Sequence, residues 1–308
     1  MHAHRSAARR ALTLLAAAAL FVEVLGSPVA SFASSAAPPA ASSTPVHVSL
    51  FESDGRTYGV GMPIIAYFDK KVTDATVFDR AVTVTVNGRP AGGAWYWEAP
   101  SRSGAGIEAH YRTAQYWPGH ATVHVSMPIR GLRAGRGLTF GNDVTLDMST
   151  GAAHLATVDG TPGVDTMTIS SDGRPVRTVP VSLGKATTPT YLGTKVVMAK
   201  ANPQEMKSNP GENPPYDIEV PWSVRVTNSG EFIHDAYWNA QIGKANLSHG
   251  CTNLRPADAE WYYNWSLIGD PVTWVHTGTG QTIPVTDGWG DWNLDWPSYS
   301  QGGLLPPR

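Results

Sequence analysis

The chain has 308 residues, more than one typical domain of about 100 to 200 residues, so two folded units with flexible ends are expected. Its 23 basic and 25 acidic side chains give a formal net charge of -2, which excludes recognition of nucleic acid or an anionic membrane through strong charge. The composition includes 31 glycines, 24 prolines and 11 tryptophans, with many valines and threonines, and predicts a mostly β protein of short strands and turns.

The N-terminal residues 1–33 have the three-part pattern of a signal peptide. A basic start is followed by an apolar run from Ala11 to Leu25 and by small residues that end at a cleavage position after Ala33. An uncleaved signal anchor is the alternative, although Glu23 interrupts the run and a bilayer needs about 20 apolar residues. We therefore predict export, and residues 34–45, rich in Ala, Ser and Pro, are predicted to form a linker.

Residues 46–150 alternate apolar and polar positions in several short segments separated by turn signals such as Asn87-Gly88. This spacing, without a long helical period, predicts an immunoglobulin-like β-sandwich. The histidines in this region, which are His47, His110, His120 and His124, show neither metal-ligand spacing nor a neighbouring carboxylate cluster. The domain is therefore interpreted as a spacer.

Residues 151–283 are predicted to form a second, β-rich domain, with a hairpin at Asp172-Gly173 and a helix from Pro256 to Ile268. The stretch from about Val196 to Trp222 is irregular, and its part from Lys200 to Tyr216 carries four prolines and few apolar residues, which is typical of a lid or binding loop. The tail, 284–308, is predicted to be a packed strap rather than a ligand cage around its tryptophans, Trp289, Trp292 and Trp296.

The chain contains a single cysteine, Cys251, although exported proteins usually pair their cysteines or lack them. It lies in Ser248-His-Gly-Cys-Thr-Asn253, and His234 ends the apolar segment Phe232-Ile-His. Acyl transfer at a thiol requires a base that takes its proton and N–H donors for the oxyanion, which these residues can supply. Metal binding is the competing interpretation, but one Cys and two His lack an obvious fourth ligand.

These two segments closely resemble the signature of YkuD-type L,D-transpeptidases. The likeness extends over nearly all of the predicted exported part and is similar to the two-domain actinobacterial form, with an immunoglobulin-like domain ahead of the catalytic domain. The resemblance implies that Cys251 is the nucleophile, that His234 is the general base, and that the backbone carbonyl of Asp235 orients the imidazole. It also implies that His249 shapes the oxyanion site, with N–H donors at Gly250 and Cys251.

The resemblance further implies a substrate-binding surface around the nucleophile. Its predicted members are Ser248, Asn253, Trp238, Tyr216, Trp222 and Met198. Two residues depart from related enzymes: Asp235 stands where Ser is frequent, and Asn228 where some carry a lid tyrosine. We expect the Asp235 charge to raise the pKa of His234 and to favour a thiolate–imidazolium pair.

The activity implied is 3→3 cross-linking of peptidoglycan, in which a tetrapeptide stem acylates Cys251 and the thioester passes to a diaminopimelate amine. Stem peptides would be donor and acceptor, carbapenem β-lactams would acylate the same thiol, and neither a metal nor an organic cofactor is implied. An L,D-carboxypeptidase, a transpeptidase that attaches proteins to the wall, and a non-catalytic peptidoglycan-binding protein are the alternatives. The predicted location is the outer face of the cell, in association with the wall.

Overall fold

The computed structural model describes residues 43–208, 211, 215–278 and 280–307. The predicted signal segment and most of the predicted linker lie outside the described residues, so both stay predictions. In the described part of the chain, no helix combines the length and the apolar character that a membrane span requires.

The first half of the described chain consists of short strands and one short helix. Turn residues separate the strands, and Asn87 and Gly88, with φ of 49° and 75°, form the predicted tight hairpin turn. The elements are β1 (Thr44–Val46), β2 (Val48–Leu50), β3 (Thr57–Tyr58), β4 (Ile64–Phe68), α1 (Thr76–Ala81), β5 (Thr83–Val86), β6 (Arg89–Pro90), β7 (Ala94–Glu98), β8 (Ile107–Arg112), β9 (Thr122–Met127), β10 (Arg133–Gly135), β11 (Leu138–Phe140) and β12 (Val144–Thr150).

These strands form sheets in the orders β2-β4-β8-β7, β3-β12-β9-β5-β6 and β1-β11-β10. The aromatic rings of Phe68, Phe78, Trp97 and Phe140 pack together in the core, with Phe68 and Trp97 centroids 4.9 Å apart. The predicted immunoglobulin-like fold is confirmed. The helix α1 was not predicted, because its six residues are too few to show a helical period.

The second half begins with the predicted hairpin, in which Asp172 and Gly173 again have positive φ, and continues into the region around Cys251. Its elements are β13 (His154–Asp159), β14 (Thr166–Ser171), β15 (Arg174–Pro180), β16 (Gly193–Val196), β17 (Ala199–Ala201), β18 (Gln204–Lys207), β19 (Asp217–Val220), β20 (Ser223–Arg225), β21 (Phe232–Asp235), β22 (Thr252–Leu254), α2 (Pro256–Trp265), β23 (Pro271–Val275), a 3₁₀ turn (Gly290–Asn293) and α3 (Trp296–Tyr299).

Two sheets, β15-β14-β13-β23-β16 and β17-β20-β21-β22, share a core of buried valines, Ile233, Leu254 and Trp274. The β18–β19 pair forms a separate two-stranded hairpin. The main helix α2 begins at Pro256 as predicted but ends at Trp265, three residues early, because Ser266 is extended and its carbonyl accepts from Lys200. The mostly β class with one main helix is therefore confirmed.

The C-terminal tail runs back over the immunoglobulin-like domain as the predicted packed strap. The indole of Trp289 meets the ring of Phe51 at 4.7 Å, and Trp292 Nε1 donates to the carbonyl of Gly61. The buried Arg112 guanidinium lies 4.7 Å from the Trp292 ring and 4.0 Å from that of Tyr299. These contacts bury tail aromatics against the first domain, so they serve packing rather than ligand binding.

The expectation that the N-terminal histidines have no carboxylate cluster is wrong for His110. This fully buried ring lies with Nδ1 3.0 Å from Asp291 and Nε2 3.2 Å from Glu108 and 3.7 Å from Glu98. The sequence hid the cluster because Asp291 comes from the tail, 181 residues later. Neighbouring carboxylates raise the pKa of His110 well above its usual value despite burial, so the ring is a cation that ties the strap to the domain.

Candidate active site

Two neighbouring parallel strands position the residues that the sequence singled out. Strand β21 places His234 beside Asn253 of β22 in the parallel register, and Cys251 directly precedes β22. The run Phe232-Ile-His-Asp is fully buried, as expected for a central strand covered on both faces. The topology thus brings together an imidazole and a thiol that are 17 positions apart in sequence.

The His234 imidazole is held in one tautomer. Its Nδ1 lies 2.6 Å from the backbone carbonyl oxygen of Asp235 and donates its proton there, because a carbonyl oxygen can only accept. The lone pair of Nε2 is then available to accept a proton from another group. The Trp238 ring stacks on the imidazole at 6.0 Å between centroids. This is the orientation that the sequence resemblance implied.

The turn before Cys251 is shaped by glycine and serine. Gly250 has a φ of 122°, a region that L side chains rarely adopt, so this position favours glycine. Ser248 Oγ donates to the carbonyl of Cys251 at 2.6 Å and accepts from the N–H of Gly250 at 3.1 Å. The Gly250 N–H is therefore engaged within the turn, which leaves Cys251 N–H as the remaining donor of the predicted pair.

The thiol and the imidazole are both neutral near pH 7. Burial raises the pKa of Cys251 to about 12, with a smaller contribution from the charge of Glu231. Burial also lowers the pKa of His234 to about 4, only partly offset by its hydrogen bond to the Asp235 carbonyl. Removal of water penalises either charged form, so the free protein holds both groups neutral, with the Cys251 thiol donating to the carbonyl of Gly230 at 3.7 Å.

The expectation that Asp235 raises the pKa of His234 is wrong. The contact between the two residues uses the backbone carbonyl of Asp235, and successive side chains of a strand point to opposite faces. The Asp235 carboxyl is itself buried, and burial raises its own pKa. Its charge therefore does not control the protonation of the imidazole, and no thiolate–imidazolium pair is formed in advance.

Two cavities meet at the sulfur. The first, of about 500 Å³, contains His234, Trp238, Leu247 and Asn253 in its wall, whereas the second, of about 730 Å³, is lined by residues that include Arg225 and Glu231. Both are lined by Met206, Tyr216, His249 and Cys251. The β18–β19 hairpin supplies Met206, and Tyr216 directly precedes β19, so this hairpin forms a lid where the cavities adjoin.

Comparison with known proteins agrees with this geometry. A family model described as the L,D-transpeptidase catalytic domain matches residues 158–273, and one described as a bacterial Ig domain matches residues 33–133. A solved L,D-transpeptidase from Mycobacterium smegmatis is 30% identical with a TM-score of 0.60, and the match covers 75% of this chain and 100% of that one. This chain belongs to the L,D-transpeptidase family.

Two further members of the family are similar over most of the chain. L,D-transpeptidase 2 of Mycobacterium tuberculosis is 32% identical over 269 residues, a match that covers 84% of this chain and 64% of that relative. The chain thus spans less than two thirds of that relative's length. A solved L,D-transpeptidase in complex with imipenem has a TM-score of 0.61 and 28% identity, and the match covers 74% of this chain and 97% of that one.

Several residues predicted from the L,D-transpeptidase resemblance lie at the cavities. Tyr216 and His249 rings lie 5.3 Å apart on the shared wall, where Lys185 Nζ is 2.8 Å from His249 Nε2. Asn253 is buried in the first cavity, and its Oδ1 finds no hydrogen-bond partner among the described residues. Ser248 lines the same cavity, although its hydroxyl is engaged in the turn.

Two predicted substrate contacts lie elsewhere. Trp222 packs edge-on against Tyr263 of α2, with 5.4 Å between ring centroids, and lines neither cavity at Cys251. Its backbone has a positive φ of 49°, where the chain leaves the lid and turns into β20. Met198 packs at the junction with the first domain, and a Cβ on Gly288 would come within 2.7 Å of its sulfur. Both predictions are therefore wrong: in this L,D-transpeptidase the side chains of Trp222 and Met198 pack against other parts of the protein and do not line the cavities at Cys251.

Sequence reasoning missed a charged group close to Cys251. Glu231 forms a buried ion pair with Lys195 of β16, whose side chain is fully buried, and Arg225 lies nearby on β20. The available signal was one charge of each sign directly before an apolar pair, Lys195 before Val196-Val197 and Glu231 before Phe232-Ile233, since a buried Lys or Glu almost always has a partner. The segments are 36 residues apart, so the pairing itself was not visible.

Proposed function

We propose that the protein is a peptidoglycan L,D-transpeptidase that forms 3→3 cross-links through a thioester on Cys251. The observation that carries the proposal is that Cys251 and the oriented imidazole of His234 line one cavity. The donor would be a tetrapeptide stem, cut between the L-centre of its third residue and its terminal D-Ala. Diaminopimelate is the proposed third residue, as the family resemblance implies.

The proposed acylation begins with a proton transfer. Cys251 gives its proton to His234 Nε2 as the sulfur attacks the amide carbon, and the tetrahedral intermediate then expels D-Ala, which takes that proton from His234. A carbon–sulfur bond forms and a carbon–nitrogen bond breaks, leaving neutral thioester and neutral imidazole. Because the thiol and the base start neutral, proton transfer accompanies attack rather than preceding it.

The arrangement of cavities supports a reaction with two substrates. A donor stem in one cavity would leave its acyl group on the sulfur, while the other cavity, opening on the same sulfur, would admit an amine. The lid hairpin, with Met206 and Tyr216 at the shared wall, would keep water from the thioester. The amine attacks the carbonyl, the carbon–sulfur bond breaks, and His234 returns a proton to the sulfur.

The proposed inhibitors and location follow from relatives and sequence. A solved relative is in complex with imipenem, and we propose that carbapenems acylate Cys251 through the strained ring that mimics the amide. The signal-like segment 1–33 supports export to the outer face of the cell and association with the wall, with membrane attachment only through an uncleaved anchor. Hydrolysis of the thioester would make the protein an L,D-carboxypeptidase, and a protein acceptor would make it a wall-attachment enzyme.

The test combines muropeptide tetrapeptides, imipenem and intact-protein mass spectrometry. We expect wild-type protein to gain one imipenem mass, to release D-Ala and to form 3→3 dimers, whereas Cys251→Ser gains no thioester adduct. His234→Gln controls for cavity shape, because it keeps the thiol but removes the base. An unmodified wild type, or an equal adduct on the variant, would leave the non-catalytic binding protein as the better account. Product analysis separates cross-linking from hydrolysis and protein attachment.

A further inference from the structure

We propose that Glu231 binds the ammonium of the incoming acceptor in the second cavity and takes its first proton. This inference rests on the proposed function, since it concerns the second half of the same reaction. The acceptor amine of a stem peptide is protonated at neutral pH, as a primary alkylamine, and only its neutral form attacks a thioester. A carboxylate beside the sulfur meets both needs.

Glu231 faces the nucleophile turn from the second cavity. A Cβ built on Gly250 would lie 3.6 Å from Glu231 Oε1, which places that oxygen against the residue preceding Cys251. The side chain is 9% exposed, and both Glu231 and Cys251 belong to the wall of the second cavity. An amine that approaches the thioester from this cavity therefore meets the carboxylate on its way to the carbonyl.

The carboxylate is rigidly held, so it can act as a preformed receptor. Glu231 Oε2 accepts from the ammonium of Lys195, and Oε1 accepts from the backbone N–H of Tyr191 at 2.8 Å. Lys195 in turn lies 4.1 Å over the Trp274 ring, whose Nε1 donates to Thr252 Oγ1, next to the nucleophile. A carboxylate has about four lone-pair sites, so each oxygen retains capacity for an incoming donor.

The two cavities differ in charge in a way that assigns the acceptor to the second. Among the described residues that line the first cavity, none is Asp, Glu, Lys or Arg. The second contains Glu205, Lys207, Arg225 and Glu231, of which Glu205 and Lys207 pair with each other on the exposed hairpin at 2.9 Å. Glu231 is the buried carboxylate of this cavity, and with the cations Arg225 and Lys195 beside it, it offers an ammonium a local hydrogen-bond acceptor rather than a surplus of negative charge.

The proton balance is complete without another reactant. The acceptor R–NH₃⁺ gives one proton to Glu231, and the neutral amine attacks the thioester carbonyl as the carbon–sulfur bond breaks. A second N–H proton passes through His234 to the sulfur, which restores the thiol, and Glu231 releases its proton to solvent. Burial raises the pKa of Glu231, an effect that Lys195 opposes, so the group is a better base than an exposed carboxylate.

The test compares two amines on Glu231→Gln, with Glu260→Gln, a change to an exposed carboxylate of α2 that lines neither cavity, as the control. Preformed acyl-enzyme is mixed with an ammonium acceptor, a tetrapeptide bearing diaminopimelate, or with hydroxylamine, which is uncharged at neutral pH. We expect Glu231→Gln to slow resolution by the peptide amine roughly 100-fold and to leave resolution by hydroxylamine within about twofold. Glu260→Gln should resemble wild type with both amines.

The outcomes separate this inference from the proposed function. Equal slowing with both amines, or no slowing with either, overturns the role of Glu231 while acyl-enzyme formation still stands. Failure of the wild type to form an acyl-enzyme instead overturns the proposed function. If Glu231→Gln leaves Lys195 unpaired and does not fold, the double variant Lys195→Met, Glu231→Met removes both charges together, and its two-amine ratio must show the same selective loss.

Discussion

Two buried histidines in this chain have opposite chemistry. In the immunoglobulin-like domain, His110 lies among Glu98, Glu108 and Asp291, and despite burial the negative charge of Asp291 above all raises its pKa well above the usual value. In the catalytic domain, His234 is equally hidden from water, but its Nδ1 partner is a neutral backbone carbonyl, and its pKa falls to about 4. Burial is common to both, so the partner decides whether the ring is a fixed cation or an available base.

Under the proposed function, one residue type serves stability in one domain and chemistry in the other. A cation that already holds its protons at both nitrogens cannot accept another, so His110 can only join the strap to the sheet. A neutral ring with one nitrogen occupied keeps a lone pair for the thiol. Each histidine can be changed to test this division, and the expected effects differ in kind and in size.

The largest expected effect is on catalysis at His234. The variant His234→Gln keeps a side chain that can donate to the Asp235 carbonyl but has no basic nitrogen, so the rate of acylation by imipenem should fall about 10²- to 10⁴-fold. Stopped-flow or mass-spectrometric rates measure this. A variant that acylates at the wild-type rate would show that the thiol does not depend on this base.

The second effect is on stability at His110. Replacing it by Gln removes the cation from a buried cluster of carboxylates, and the free energy of unfolding should fall by about 3 to 5 kcal/mol. Urea unfolding measures the loss. The rate of acylation per folded molecule should be unchanged, since His110 lines neither cavity at Cys251. Lost acylation in folded His110→Gln would contradict the division of roles.

The third prediction concerns pH, for which the two sites have opposite signs. Burial raises the pKa of Glu98 to about 8, so the folded state holds a proton that unfolding releases above pH 4.5, and stability falls as pH rises toward 8. Burial also raises the pKa of Glu52 to about 8, so Glu52 adds a loss of stability in the same direction. The raised pKa of His110 adds a further loss of stability as the pH rises above 6.5. For His234, by contrast, stability falls as pH drops from 6.5 through 4, because unfolding takes up a proton.

Chemical denaturation across pH 4 to 9 measures both losses of stability: the alkaline limb, as pH rises toward 8, and the acid limb, as pH drops below 6.5. We expect Glu98→Gln, which resembles the protonated acid, to flatten the alkaline limb by part of the roughly 1.4 kcal/mol per pH unit that one proton contributes. The same variant should leave the acid limb in place. An alkaline limb that keeps its full slope in Glu98→Gln would mean that this carboxyl is not protonated in the folded state.

The smallest expected effect is on a single hydrogen bond of the strap. Trp292→Phe keeps an aromatic ring near Arg112 but loses the bond from Nε1 to the carbonyl of Gly61, so the free energy of unfolding should decrease by about 1 kcal/mol. Thermal or urea unfolding tests this against His110→Gln. If Trp292→Phe lowers the free energy of unfolding as much as His110→Gln does, the indole rather than the histidine contributes most to the attachment of the strap.

Local patterns in the sequence predicted the elements better than the contacts between them. Alternation and the Asn-Gly and Asp-Gly dipeptides predicted strands and hairpins, because turn geometry is set by a few adjacent residues. The segments around His234 and Cys251 were recognised because they contain the single cysteine and nearby histidines and resemble a family signature. Gly250 was expected to donate to an oxyanion, but its N–H is bound by Ser248, a contact that only the folded turn reveals.

What stayed hidden depended on distant partners. No local pattern links His110 with Asp291, or Lys195 with Glu231, since each pair is joined only by the fold. The protonation of His234 was predicted with the wrong sign, because the acidic neighbour was visible in the sequence and the exclusion of water was not. Trp222 and Met198 were assigned to substrate for a similar reason: their place in the chain is close to the lid, whereas their side chains pack elsewhere.

The strap gives this protein an unusual order of assembly. His110 lies in the earlier of the two domains, yet the carboxylate that completes its surroundings, Asp291, is made 181 residues later. Domains tend to fold as they emerge, in N-to-C order. Here the earlier domain must wait for the strap before its charges are balanced, so a nascent chain halted before residue 291 would hold a nearly finished sandwich that lacks its closing ion pair.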